Sequence, residues 1–178
     1  MIDYQKIGFK AGLEIHQQIE GKKLFCNCPT LVNDKNQIDI VFTRKLKAIK
    51  GESGQIDIAA KFEMQKQKNI IYEACSSSSC LVELDEEPPH KINKEALKTA
   101  IQIAKITNAN LIDEIQVMRK IVIDGSNVSG FQRTMLIATD GYIDTSKGKV
   151  SIMTICLEEE SAKKLKAEEC KFDVDNLT

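Results

Sequence analysis

Between residues 38 and 158 the chain falls into short runs rich in isoleucine, valine, threonine and tyrosine, each closed by glycine, asparagine, aspartate or serine. β-Branched and aromatic side chains pack well on a pleated surface, and turn residues at such short intervals favour hairpins over crossover connections. The pattern predicts strands over 38–49, 69–74, 81–84, 114–124, 134–139 and 150–158, and a first strand over 12–19. Turns are predicted at Asp140-Gly141 and Lys147-Gly148-Lys149. Residues 56–67 carry enough Ala, Met, Gln and Lys for a helix. Residues 93–107 have helical periodicity: Asn93 suits an N-cap, and Leu97, Ala100, Ile101 and Ala104 fall on one face. Many strands with few inserted helices predict an α+β fold with a largely antiparallel sheet rather than a doubly wound one.

Composition narrows the function classes. The 178 residues suit one domain or part of a larger one. Acidic and basic residues nearly cancel, 26 against 25, so no global basic field announces a nucleic-acid binder, and RNA contact would need a local patch or further sequence. No apolar run approaches the roughly 20 residues of a membrane span, and the first residues are not a secretory signal, so a cytoplasmic protein is expected. Six cysteines without an export signal read as thiols or metal ligands rather than a disulfide framework. Residues 172–178 start like another strand and stop, so the chain is expected to end inside a larger structural unit.

Several constellations could carry chemistry. In 12–19, a period of two would put Leu13 and Ile15 on one face and Glu14 and His16 on the other, where a carboxylate and an imidazole could hold a divalent cation. The same alternation is the ordinary pattern of a half-buried strand. Cys26-x-Cys28 and Cys75-x4-Cys80 offer four thiols suited to structural Zn2+, although neither spacing is the common two-residue one. Cys156 reads as a small core residue, and Cys170 has no evident partner. Residues 118–134 form the densest polar loop; Gly125 and Gly130 permit close backbone approach, and Ser126, Asn127, Gln132 and Arg133 could bind phosphate or carboxylate oxygens. A well-capped hairpin turn explains the loop equally. Glu158-Glu159-Glu160 could bring a carboxylate to the ion at Glu14 and His16, or simply be a solvated strand end.

Taken together, five segments resemble the tRNA-dependent amidotransferase B/E family. They are Gly12-Leu13-Glu14-Ile15-His16, the Lys23-Leu24-Phe25-Cys26-x-Cys28-Pro29 run, Cys80 through Pro89, Met118 through Thr134, and Leu157-Glu158-Glu159. Asp124-Gly125-Ser126-Asn127 and Gly130-Phe131-Gln132-Arg133-Thr134 favour the archaeal E type over the B type, whose version of this loop is rich in tyrosine and proline. The resemblance implies that 1–178 is the N-terminal part of a cradle-type catalytic domain. It implies an ATP- and Mg2+-dependent ligase that phosphorylates the glutamate of mischarged Glu-tRNA(Gln) and replaces phosphate with ammonia, giving Gln-tRNA(Gln). Ammonia would come from a D-type, asparaginase-like amidase partner, in a heterotetramer. By the same resemblance Glu14, His16 and one of Glu158 or Glu159 are expected at the metal. Arg119, Lys120, Ser126, Asn127, Gln132 and Arg133 are expected to hold phosphate or the glutamyl end, with Ser126 and Arg133 on the nucleotide. Cys26, Cys28 and Cys80 match the family's zinc pattern, while Cys75 departs from it in spacing, and Glu160 stands where the family usually has Asp. Other readings remain: a B-type subunit, or a non-catalytic zinc-stapled module that docks the amidase partner or tRNA.

Overall fold

A computed structural model describes residues 2–4, 6–30, 38–160, 162–166 and 171–173. In chain order they form β1 (Ile40–Lys45), α1 (Ile58–Gln65), β2 (Asn69–Ala74), α2 (Lys94–Ile106), β3 (Asn110–Leu111), β4 (Met118–Ile121), β5 (Phe131–Thr145), β6 (Gly148–Glu158), β7 (Lys163–Lys166) and β8 (Lys171–Asp173). The expected α+β class holds. Two sheets are present among the described residues: β1-β2-β8-β7, and a second in which β5 pairs with β3, β4 and β6. Every pairing is antiparallel except that of β2 with β8.

The strand β5 organises the second sheet. Its start pairs with β4, from Ile121↔Phe131 to Met118↔Thr134, and β6 then follows it from Thr134↔Glu158 to Thr145↔Gly148. A two-residue turn closes this hairpin, and Gly148 supplies the positive φ of 117° there. Helix α2 lies on the sheet because its inward positions are small: Ala96 and Ala100 pack with Met135, Ile137 and Leu157, and Leu24 and Phe25 complete the cluster. Met135 and Ile137 are wholly buried, each worth roughly 1.5–3 kcal/mol by transfer from water.

The N-terminus of α2 also fixes the segment that carries Lys23. Asn93 Oδ1 accepts from the amides of Glu95 (3.0 Å) and Ala96 (3.3 Å), while its Nδ2 donates to Lys22 O at 2.8 Å. The Asn93 amide donates to Leu24 O and the His90 amide to Phe25 O, both at 2.8 Å. A second cluster, Ile70, Tyr72, Ala74 and Ala162, lies against Phe42 and Val128. There Tyr72 stacks on Phe42 with ring centroids 5.1 Å apart and donates its hydroxyl to Gly125 O at 2.9 Å.

Several expectations are corrected. Residues 12–19 form no strand; Leu13 and Ile15 are 93% and 84% exposed, and no described strand pairs with them to turn alternation into a buried face. Residues 81–84 form a tight turn, with Leu84 N donating to Cys80 O at 3.2 Å and Glu86 N to Leu81 O at 2.8 Å. Glu83 stabilises it by accepting from the Cys80 amide at 2.7 Å, a local bond that competes with strand pairing. Asp140-Gly141 is no turn but lies inside β5. The glycine is required by close approach: a Cβ there would stand 2.9 Å from both Ala109 Cβ and Thr107 O. Strands expected over 38–49 and 114–124 are shorter, at Ile40–Lys45 and Met118–Ile121, and that over 134–139 extends to Phe131–Thr145. The loop at 33–37, Cys170 and residues 174–178 lie outside the described residues.

Two variants probe this packing. Gly141→Ala is expected to destabilise the fold by about 1–3 kcal/mol through overpacking, read as a lower urea midpoint; an unchanged midpoint would contradict the close approach. Burial pushes the Tyr72 hydroxyl well above its ordinary 10.0. Its stabilising contribution is therefore complete below pH 10.0 and declines above it, where the unfolded chain releases the proton that the fold retains. Tyr72→Phe should cost about 1 kcal/mol at neutral pH yet lose less stability than wild type on going to pH about 11. Parallel alkaline curves in urea titrations would contradict this.

Candidate functional site

Two neighbouring features meet at the segment before α2. The first is a thiol cluster. Lys22 and Pro29 bridge a tight turn carrying Cys26 and Cys28, and the Lys23 amide donates to Cys28 O at 2.9 Å. Cys80 opens the turn that Glu83 closes. The three Sγ atoms and a Glu83 carboxylate oxygen lie within 4.8 Å of one another, the only such group of ligand atoms among the described residues. Cys26 Sγ donates to Glu83 Oε1 at 2.6 Å. Soft thiolates with one carboxylate suit tetrahedral Zn2+, and the chemistry of this donor set fits a structural ion. Burial, helped by the Glu83 carboxylate, pushes the Cys26 thiol far above its ordinary 9.0 and Cys28 up to about 12. Metal uptake must therefore displace protons from these thiols. Cys75, expected as the fourth ligand, is not in this group. It is buried at the end of β2, where its carbonyl accepts from the amides of Ser78 and Ser79 at 3.1 and 2.9 Å.

The second feature is a small cleft, open to solvent, walled by Lys23, Glu83, Asn127, Ser129, Arg133 and Glu159, with Phe25 and Glu160 beside them. Each wall has a structural cause. Arg133 points inward from β5, over the Phe25 ring at 5.5 Å, and pairs with Glu159. Burial pushes the Glu159 carboxyl above its ordinary range against the pull of the Arg133 guanidinium. The loop joining β4 to β5 is a capped hairpin: Ser126 N donates to Asp124 Oδ1 at 2.9 Å, and Ser129 Oγ donates to Asn127 Oδ1 at 2.7 Å. Asn127, only 5% exposed, is thereby turned into the cleft wall. Lys23 is 6% exposed and its Nζ stands 3.8 Å from Glu83 Oε1.

The remaining expected residues lie elsewhere, several of them because strand alternation separates them. Residues directly opposed in an antiparallel pair share a face. Gln132, Thr134 and Glu158 therefore share the face opposite Arg133. Glu158 Oε1 accepts from Thr134 Oγ1 at 2.9 Å and its Oε2 from Gln132 Nε2 at 3.3 Å. Lys120, opposite Gln132, is exposed on the same side. Cys156 lies there too, exposed and not in the core as expected, because its β5 partner Leu136 alternates with buried Met135 and Ile137. Glu14 reaches this face closely enough to help raise the Cys156 thiol, although burial and Glu158 do more. His16 Nε2 is 3.4 Å from Glu14 Oε1, both side chains largely exposed. Glu14, His16 and Glu158 do not converge as one ligand set in this structure. Arg119, opposite Arg133 and so on its face of the sheet, is drawn instead to Glu52 at 2.7 Å and lies over the Phe131 ring without lining the cleft. Ser126 bonds Asp124 rather than lining the cleft.

Sequence reasoning misses Lys23, Glu83 and Ser129. For Glu83 a signal exists in the Cys80-x-x-Glu83 spacing, which a tight turn brings together. Lys23 opens a family-like segment, but neither its residue type nor its spacing signals that it is buried.

Known proteins resemble this chain along nearly its whole length. The sequence profile of the GatB/GatE catalytic domain matches residues 9–177. The E subunit of the glutamyl-tRNA(Gln) amidotransferase of Methanococcus vannielii is 50% identical over 178 residues, covering 98% of this chain and 28% of that protein. That of Methanocaldococcus jannaschii is 49% identical, covering 99% and 28%. That of Methanosarcina barkeri is 51% identical over 164 residues, covering 92% and 26%. The chain thus spans little more than a quarter of the length of these relatives. Among the described residues no helix is long and apolar enough to cross a membrane.

The cluster predicts a metal stoichiometry. After exposure to Zn2+ and gel filtration, Cys28→Ser or Cys80→Ser should lose at least about tenfold in zinc affinity, whereas Cys75→Ser should keep wild-type content. Loss on Cys75→Ser alone would move the site.

Proposed function

Because the chain belongs to the GatB/GatE catalytic domain family, we propose that it forms the N-terminal part of the cradle-type catalytic domain of an E-type tRNA-dependent amidotransferase. The reaction is the ATP-dependent conversion of Glu-tRNA(Gln) to Gln-tRNA(Gln). A side-chain carboxylate cannot lose oxide to ammonia, so its oxygen first attacks the γ-phosphorus of ATP and releases ADP. Ammonia then attacks the acyl carbon and phosphate leaves. A D-type, asparaginase-like amidase is the proposed ammonia source, in a heterotetramer in the cytoplasm.

One observation carries this reading. Four of the five family-like segments supply the walls of a single cleft: Lys23 and Phe25 from the second, Glu83 from the third, Asn127, Ser129 and Arg133 from the fourth, and Glu159 from the last. Segments far apart in the chain meet at one surface. In this reading Arg133, oriented by Glu159, and the Asn127 side chain hold ligand oxygens, and the hairpin sets their spacing. Arg119, Lys120, Ser126 and Gln132 would act from the hairpin's flank, on substrate groups extending past the cleft. Mg2+, when bound, offsets the charge gathered between ATP and the glutamyl carboxylate. Glu14, His16 and Glu158 are its proposed ligands, with side chains that must draw together. Zn2+ at Cys26, Cys28, Cys80 and Glu83 would staple the floor on which Lys23 sits.

The thiol cluster also favours a second reading, a zinc-stapled module that docks the amidase partner or tRNA without catalysis. Mg2+-dependent ATP binding by the full-length protein separates the two.

In the full-length enzyme with its amidase partner, Arg133→Ala should lower Gln-tRNA(Gln) formation by about a hundredfold, and Glu14→Ala or His16→Ala by more than about tenfold. Undiminished turnover in Arg133→Ala would remove the cleft from the reaction; undiminished turnover in the other two would remove the metal role.

A further inference from the structure

Lys23 is the only side chain among the described residues whose buried polar atom has no hydrogen-bond partner. Its side chain is 5% exposed, and it lines the cleft. The nearby Glu83 carboxylate balances its charge from 3.8 Å but does not fill its donors, because that distance is beyond hydrogen-bond reach; Glu83 is held there by accepting from Cys26 Sγ at 2.6 Å and from Cys80 N at 2.7 Å. An ammonium has three N–H groups to satisfy. Lysines usually solve this by extending their heads into water. This one is held back: Lys22 O, Lys23 N and Leu24 O are bonded to Asn93 Nδ2, Cys28 O and Asn93 N at 2.8, 2.9 and 2.8 Å. Arg133, the other cation of the cleft, is engaged by Glu159. Lys23 Nζ is therefore the cationic group of the cleft that has no hydrogen-bond partner.

We infer that Lys23 Nζ is an oxyanion-binding group, receiving a phosphate or carboxylate oxygen of the ligand that enters this cleft. Buried donors without partners are rare because their desolvation is costly, and a ligand oxygen brought against such a donor makes a charge-assisted hydrogen bond that restores what burial removed. The inference deepens the substrate reading of the cleft given above and rests on it. It gives Lys23 the recognition of charge and leaves Arg133 with Glu159 to set orientation.

The test is calorimetric titration of the full-length protein with inorganic phosphate and, separately, with glutarate as a carboxylate probe. Wild type, Lys23→Met and Lys23→Arg are compared, with zinc content and circular dichroism as controls of fold. Binding of at least one anion is expected, weakened at least about tenfold in Lys23→Met and kept within about threefold in Lys23→Arg. Preference for phosphate assigns Lys23 to the phosphoryl group, and preference for glutarate assigns it to the glutamyl carboxylate. If Lys23→Met fails to fold, Lys23→Gln replaces it, read by whether phosphate or glutarate still raises the melting temperature. Binding that does not depend on Lys23, or no binding of either anion to folded wild type, would overturn the inference. Neither titration needs turnover. Lys23-dependent anion binding in a protein inactive on Glu-tRNA(Gln) would refute the amidotransferase reading alone, and an active enzyme with Lys23-independent binding would refute the inference alone.

Discussion

The period of two in β5 is the constraint on which the rest depends. Because successive side chains leave a strand on opposite sides, Met135 and Ile137 must enter the core with α2, and Arg133 must then face the same way, toward Phe25 and Glu159. Gln132 and Thr134 are committed to the other side, where they hold Glu158. Adjacent glutamates thus have different partners. A slip of one residue in register would bury Gln132 and expose Arg133, so apolar packing at Met135 and the chemistry of the cleft are fixed together.

Much of this was legible in the sequence, for identifiable reasons. Helix α2 was, because Asn93 and the alanine face signal locally, and β2 was, because Ile70, Ile71 and Tyr72 need no partner to favour extended backbone. The segment 12–19 was not. Alternation says which face would be apolar but not whether a strand lies alongside, and here Leu13 and Ile15 face solvent. Asp140-Gly141 misled for the opposite reason: the dipeptide is a good turn signal, but the glycine answers a crowded contact with Ala109 that only tertiary structure reveals.

The same limit applies to the site. Cys26, Cys28 and Cys80 are recognisable as ligand types anywhere, yet the choice of Glu83 over Cys75 depends on a turn that replaced an expected strand. Lys23 is the strongest case. Neither residue type nor periodicity separates it from its neighbour Lys22, which is exposed; backbone bonds to Asn93, far along the chain, keep it inside.

The chain contains no tryptophan and three tyrosines, of which Tyr4 is 59% exposed and Tyr72 only 2%. With Tyr142 half-buried beside Lys149, the near-ultraviolet dichroism of the chain should carry a strong contribution from Tyr72, a ring that touches the hairpin carrying Asn127 and Arg133 through its bond to Gly125. That hairpin comes with its own intrinsic spectroscopic probe, one that can follow its movements in solution without an attached label.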